Sequence, residues 1–212
     1  MSIGWRSALL FLLVAPCLAQ DEAPPAALRF DLSPIGGYRT TISFGTKSDV
    51  PGAVRAVLDA RPAYGAAFGA RLDEENLIEF RWSRMDTRVH LEGAVLDSTS
   101  HPLTFDQYHG DFTHEYILDD PAWARPYIMG SVGATHMSAS AVTTGFTRFS
   151  FGLGGGVKFF PARRLGFRVQ AQWLPVWLDP DIRAVCGGGC IVHLGGQLSS
   201  QGEFAIGPVF RF

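Results

Sequence analysis

Lysine is almost missing from this sequence, which has only Lys47 and Lys158, and the formal net charge is a mere −2. With no basic stripe to meet phosphates, a nucleic-acid partner is excluded. Beyond the first twenty residues there is also no apolar stretch near the ~18–20 residues that a membrane helix needs, which excludes a helical membrane protein. Cysteine is scarce too: Cys17 falls in that first segment, and Cys186 and Cys190 stand together near the end. If Cys17 is removed on export, the remaining pair is an even number suited to an oxidising compartment.

Glycine and aromatic residues, by contrast, are plentiful, with 24 Gly, 16 Phe, 5 Tyr and 5 Trp in 212 residues. Arg6 precedes an apolar run from Ala8 to Ala15, and Cys17-Leu18-Ala19 offers small residues for cleavage, so residues 1–19 read as a signal peptide. Pro16 occupies the position where lipoprotein processing requires a small residue, which argues against an anchor at Cys17. Residues 20–27, QDEAPPAA, read as a short exposed leader, and residues 28–212 as one domain.

That domain alternates with a period of two. At the end of the chain Phe204, Ile206, Pro208, Phe210 and Phe212 share one face while Glu203, Ala205, Gly207, Val209 and Arg211 share the other. Comparable alternation occurs in 29–39, 63–72, 77–83, 103–116, 125–137, 149–159 and 165–177, which makes eight strands. The connections alternate in length: 73–76, 118–124 and 161–164 are short, whereas 40–62, 84–102 and 179–200 are long, with 138–144 intermediate. Short turns on one side, longer loops on the other and greasy residues of one parity predict an all-β fold, a transmembrane eight-stranded antiparallel up-and-down barrel. A soluble sandwich would keep polar residues on its outer faces and has no reason to sort its loops.

The closing Gly207-Pro-Val-Phe210-Arg-Phe212 has the glycine and terminal aromatics of an outer-membrane assembly signal, with Ala205 departing from the usual polar residue. Together with FDLSPIGGYR from Phe30, FDQYHGDF from Phe105, ARPYIMGSVGA from Ala124, FGLGGGVKFF from Phe151 and the final GEFAIGPVFRF, the chain resembles the OmpA-like family of stand-alone outer-membrane β-barrel domains. The resemblance implies a bacterial outer-membrane location, contact with outer-membrane lipid and lipopolysaccharide, and insertion by the barrel-assembly machinery. Two-domain relatives carry a peptidoglycan-binding domain after the barrel, and none is expected in a chain that stops at Phe212.

The inner parity collects a nearly balanced charge set: Asp31, Arg39, Arg71, Glu79, Arg81, Asp111, Glu115, Lys158, Arg168, Glu203 and Arg211. Because eight strands leave an interior that side chains fill, these charges are expected to pair across the lumen as a polar core; a narrow or gated pore is the alternative. Cys186 and Cys190, separated by three glycines, are expected to form a local disulfide in the last long loop, and a metal site there would have only His193 nearby. His136, Ser138 and Asp106 share the lipid-facing parity at the outer ends of the fifth and fourth strands, where a lipid A ester hydrolase would place its triad. The longer signature of such enzymes is missing, so no enzyme and no cofactor are expected. The leading expectation is a monomeric structural barrel that displays external loops; a small-solute channel comes second and the hydrolase third.

Overall fold

A computed structural model of the chain describes residues 29–40, 42–48, 55–92, 101–121, 123–139, 145–177, 182–185, 191–194 and 198–212. Residues 1–19, expected to be a signal peptide, residues 20–27, expected to be a leader, and the Cys186–Cys190 stretch, expected to hold a disulfide, lie outside these residues. Eight strands form the wall: β1 Phe30–Arg39, β2 Arg61–Arg71, β3 Asn76–Glu92, β4 His101–Glu115, β5 Ala124–Ala139, β6 Phe146–Phe159, β7 Leu165–Trp173 and β8 Gly202–Arg211. Each pairs antiparallel with its sequence neighbours, and β8 pairs back onto β1, closing the sheet. Closure matters because the bilayer offers no water to satisfy the N–H and C=O groups of a free sheet edge.

The register fixes the geometry. A path leaving β1 at Phe30 crosses Ala70, Ile78, Phe112, Gly130, Leu153, Trp173 and Gly202 in turn. It returns to β1 at Thr40, whose N–H donates to the Gly202 carbonyl, ten residues above its start. A stagger of ten over eight strands requires them to tilt, at roughly 35–45° to the axis in barrels of this kind.

The short turns 72–75, 116–121 and 160–164 share one end with the start of β1 and the end of β8, the inner rim. At the outer rim the wall continues beyond the expected strands. Ile42–Ser48 pairs with Arg55–Leu58, which pairs with Val89–Glu92 of β3. Ile191–Leu194 joins the free side of Ile42–Ser48 and pairs in turn with Ile182–Val185. Parts of the segments 40–62, 84–102 and 179–200, expected to be loops, are therefore strand.

Outward positions between the rims are large and apolar. Ile78, Phe80, Phe112, Ile128, Val132, Leu153, Phe167 and Ile206 are 50–61% exposed, a surface that only a lipid solvent makes favourable. Aromatic rings edge this band. Phe30 stacks on Phe68 and Trp123 packs near Phe159 towards the inner rim, while Tyr64 meets Trp82 edge to face and Phe151 meets Trp173 towards the outer one. From Phe30 to Tyr38 on the tilted β1 is about 20 Å along the axis, close to the height of a lipid-facing band.

Candidate functional site

The lumen is built by the inward residues of all eight strands, and it is layered. Nearest the inner rim Asp31 of β1 accepts from Arg211 of β8 at 3.0 and 3.2 Å. Arg71 of β2 donates to Glu115 of β4, and Lys158 of β6 reaches the other Glu115 oxygen at 2.8 Å. The two Glu115 contacts bridge strands that are not neighbours, so they brace the wall across the lumen. One layer up, Arg168 of β7 grips Glu79 of β3 at 2.8 Å, Thr113 donates to the same carboxylate at 3.2 Å, and the Arg168 guanidinium also faces the Tyr127 ring.

Above that, Arg81 forms a two-pronged pair with Asp111 at 2.7 and 3.1 Å and touches His109 Nδ1 at 3.2 Å. Since a guanidinium can only donate, Nδ1 must accept, which puts the ring proton on Nε2, the atom 2.7 Å from Ser150 Oγ. Arg39 and Gln172 donate to Glu203, completing the charged part of the lumen. Of the charges singled out in the sequence, Asp31, Arg39, Arg71, Glu79, Arg81, Asp111, Glu115, Lys158, Arg168 and Glu203 are all buried. Arg211 sits at the inner rim, partly exposed, with its guanidinium 4.0 Å from the Phe160 ring.

The outer lumen changes character. Leu58, Ala63, Met85, Phe105, Met137 and Val176 form a buried apolar cluster, with Leu103 and Phe146 packed against it and Leu174 also buried. On the outside of β3, β4 and β5 at this height the outward residues are polar. Arg84 donates to both oxygens of Asp106 at 2.8 and 2.7 Å, and Thr104 donates to Asp86 at 2.8 Å. At this height these three strands have an ordinary soluble pattern, polar outside and apolar inside, the reverse of the band below it, while Trp177 beside Val176 stays apolar and exposed. Sequence reasoning missed this cluster. The signal that could have found it is the parity of Met85 and Phe105 with the lumen charges further down the same strands, and of Met137 with the buried Ser131 and Thr135.

His136, Ser138 and Asp106 lie in this outer zone. Asp106 stands directly opposite His136 across β4 and β5, but the Asp106 oxygens are taken by Arg84 and Trp82, and His136 Nδ1 lies 2.9 Å from Thr147 Oγ1. Ser138 is two residues further along the strand, opposite Thr104. The three residues share a face without forming a linked relay. Gly207, Phe210 and Phe212 belong to the last strand and its end: Gly207 packs against the Pro34 carbonyl, and the two rings point outward. Towards the outer end of β7 the structure departs from the expected alternation, since the strand stops at Trp173 and Pro175 is buried rather than lipid-facing. Proline has no N–H for the ladder; its carbonyl instead accepts from Phe151 at 3.1 Å, and pairing resumes at Val176 with Ser150.

No protein-family model matches the chain, and no curated protein sequence matches it. Among solved structures it is similar to the outer membrane protein OprG from Pseudomonas aeruginosa, with a TM-score of 0.61 and 12% identity over 86% of this chain and 95% of that one. The outer membrane protein AlkL, solved in DMPC lipid bilayers, gives a TM-score of 0.55 and 9% identity over 91% and 97% of the two chains. Neisserial surface protein A gives a TM-score of 0.54 and 10% identity over 88% and 100%. At such identities the likeness is one of fold, and the fold is the closed eight-stranded antiparallel barrel of small outer-membrane proteins.

Proposed function

We propose that this chain is a structural barrel of the bacterial outer membrane, exported by its first 19 residues, inserted by the barrel-assembly machinery, and holding its outer rim to lipopolysaccharide and external partners as a monomer. The observation that carries this reading is the packed lumen. Lys158, Arg168, Arg39 and Arg81 are each at most 1% exposed, so the interior serves as a cross-braced core rather than an aqueous passage. In planar bilayers the refolded protein should therefore show no step conductance, and regular openings would overturn the structural reading. A second reading, a narrow passage for small apolar solutes through the outer half, is favoured by the Leu58, Met85, Phe105, Met137 and Val176 cluster, an apolar lining where a merely solvated mouth would be polar.

A further inference from the structure

Charge at the inner rim is divided by sector. The β2–β3 turn exposes Asp73, Glu74 and Glu75, and the β4–β5 turn exposes Asp119 and Asp120. The opposite sector exposes Arg163 and Arg164 in the β6–β7 turn and Arg29 at the foot of β1. Backbone contacts hold these arginines near one another: the Arg164 carbonyl accepts from Arg211 at the end of β8, and β8 is paired to β1 just above Arg29. Two strand spacings, about 10 Å, separate the Arg164 and Arg29 positions. Among the described residues their guanidinium groups have no hydrogen-bond or ion-pair partner, whereas the lumen arginines Arg39, Arg71, Arg81 and Arg168 are all engaged. Apolar side chains flank them at the same level, with Phe212 71%, Leu165 42% and Phe210 38% exposed.

We infer that this sector, Arg29, Arg163 and Arg164 beside Phe212, Phe210 and Leu165, is a binding site for the anionic headgroups of phospholipids in the leaflet that surrounds the inner rim. The inference rests on the barrel reading, because that reading puts the rim at a membrane surface. A phospholipid supplies what the sector lacks: a phosphate for two or three free guanidinium groups and acyl chains for the rings beneath them. Arginine suits this task through its planar fork of donors, and the acidic turns across the rim confine anionic lipid to one side of the barrel. The lipid would be an oriented neighbour of β7, β8 and β1 rather than part of a uniform annulus.

The test is the motional restriction of spin-labelled phosphatidylglycerol against spin-labelled phosphatidylcholine, measured on the full chain refolded into phosphatidylcholine vesicles. An arginine near an anionic surface is worth roughly fivefold in association at moderate salt, so selectivity for phosphatidylglycerol of about fivefold or more is expected. It should fall to near unity in the Arg29→Gln/Arg163→Gln/Arg164→Gln variant and in molar salt, and should not fall in Glu74→Gln/Glu75→Gln. No selectivity in the unaltered protein, or selectivity that survives the triple substitution, overturns the proposal. So does binding to purified peptidoglycan that the triple substitution abolishes while lipid selectivity is absent, because the arginines would then serve the cell wall. A chain that fails to show heat-modifiable mobility on gels refutes the barrel reading instead, and that control separates the two failures.

Discussion

At the scale of single residues, the inner and outer faces of the wall make unequal demands. A Cβ added at Gly133, on the inner face, would collide with the Tyr108 carbonyl and the His109 side chain, because a small barrel curves its wall inward and crowds that surface. At Gly110, on the outer face, the nearest atom to such a Cβ is the Val132 carbonyl oxygen at 3.9 Å. Gly133→Ala should therefore cost about 1–3 kcal/mol, and Gly110→Ala should change stability by less than about 0.5 kcal/mol, as read from unfolding midpoints in detergent. Equal effects would refute the crowding argument. Asp73 makes a different kind of contribution. Its carboxylate accepts from the Glu75 and Asn76 N–H groups at 2.8 and 2.7 Å and from the Asn76 amide at 2.7 Å.

These bonds favour the charged form and lower the Asp73 pKa below its ordinary 3.8. A depressed carboxylate stabilises the turn fully above the unfolded value and loses that contribution as pH falls through the folded one. The amide shifts of Glu75 and Asn76 should therefore titrate with a midpoint below 3.8. A midpoint at or above that value would show that the turn does not depend on the carboxylate.

At the scale of elements, the alternation in the sequence was legible wherever lipid lies outside and charge inside. That covers β1, β8 and the lower parts of the other strands, together with the lumen set from Asp31 to Glu203. Legibility ended where the solvent changes. Beyond Arg84 the outward residues Asp86 and Arg88 are polar and the inward Met85 is apolar, so a search for greasy outward positions ends the strand there, although β3 runs to Glu92. The strands Ile42–Ser48 and Arg55–Leu58 were hidden in an expected loop for a further reason: what defines them is pairing with distant segments, which local pattern does not encode. Which charge meets which was equally out of reach, since the Arg168–Glu79 pair depends on a separation across the lumen.

That pair carries its own expectation. Glu79→Gln leaves Arg168 and Lys158 short of a counter-charge and should cost about 3–5 kcal/mol, whereas Glu79→Met with Arg168→Met should be near neutral. Urea unfolding in vesicles measures both, and a double variant as damaged as the single one would mean that the pair stabilises the barrel outright.

At the scale of the whole molecule, the closed ladder and the lipid-facing band predict a gel mobility that shifts on heating, with the protein recovered in the outer-membrane fraction. Recovery as a detergent-free soluble monomer would contradict both the location and the band. Deleting Phe212 should lower assembled protein in cells while leaving refolding in detergent nearly unchanged, since the ring points outward and is 71% exposed. Equal surface levels with and without it would remove its role as an assembly signal.

The bridges that cross the lumen also govern timing. Arg71 on β2, Glu115 on β4 and Lys158 on β6 meet only once the sheet has curled, and an open sheet entering hydrocarbon would carry each charge in without its counterpart. Curling must therefore precede crossing, and the thickness of the bilayer becomes the clock for the whole process. Refolding rates into vesicles should fall steeply as the acyl chains lengthen, and less steeply for the Glu79→Met/Arg168→Met variant, which brings two fewer charges to the crossing.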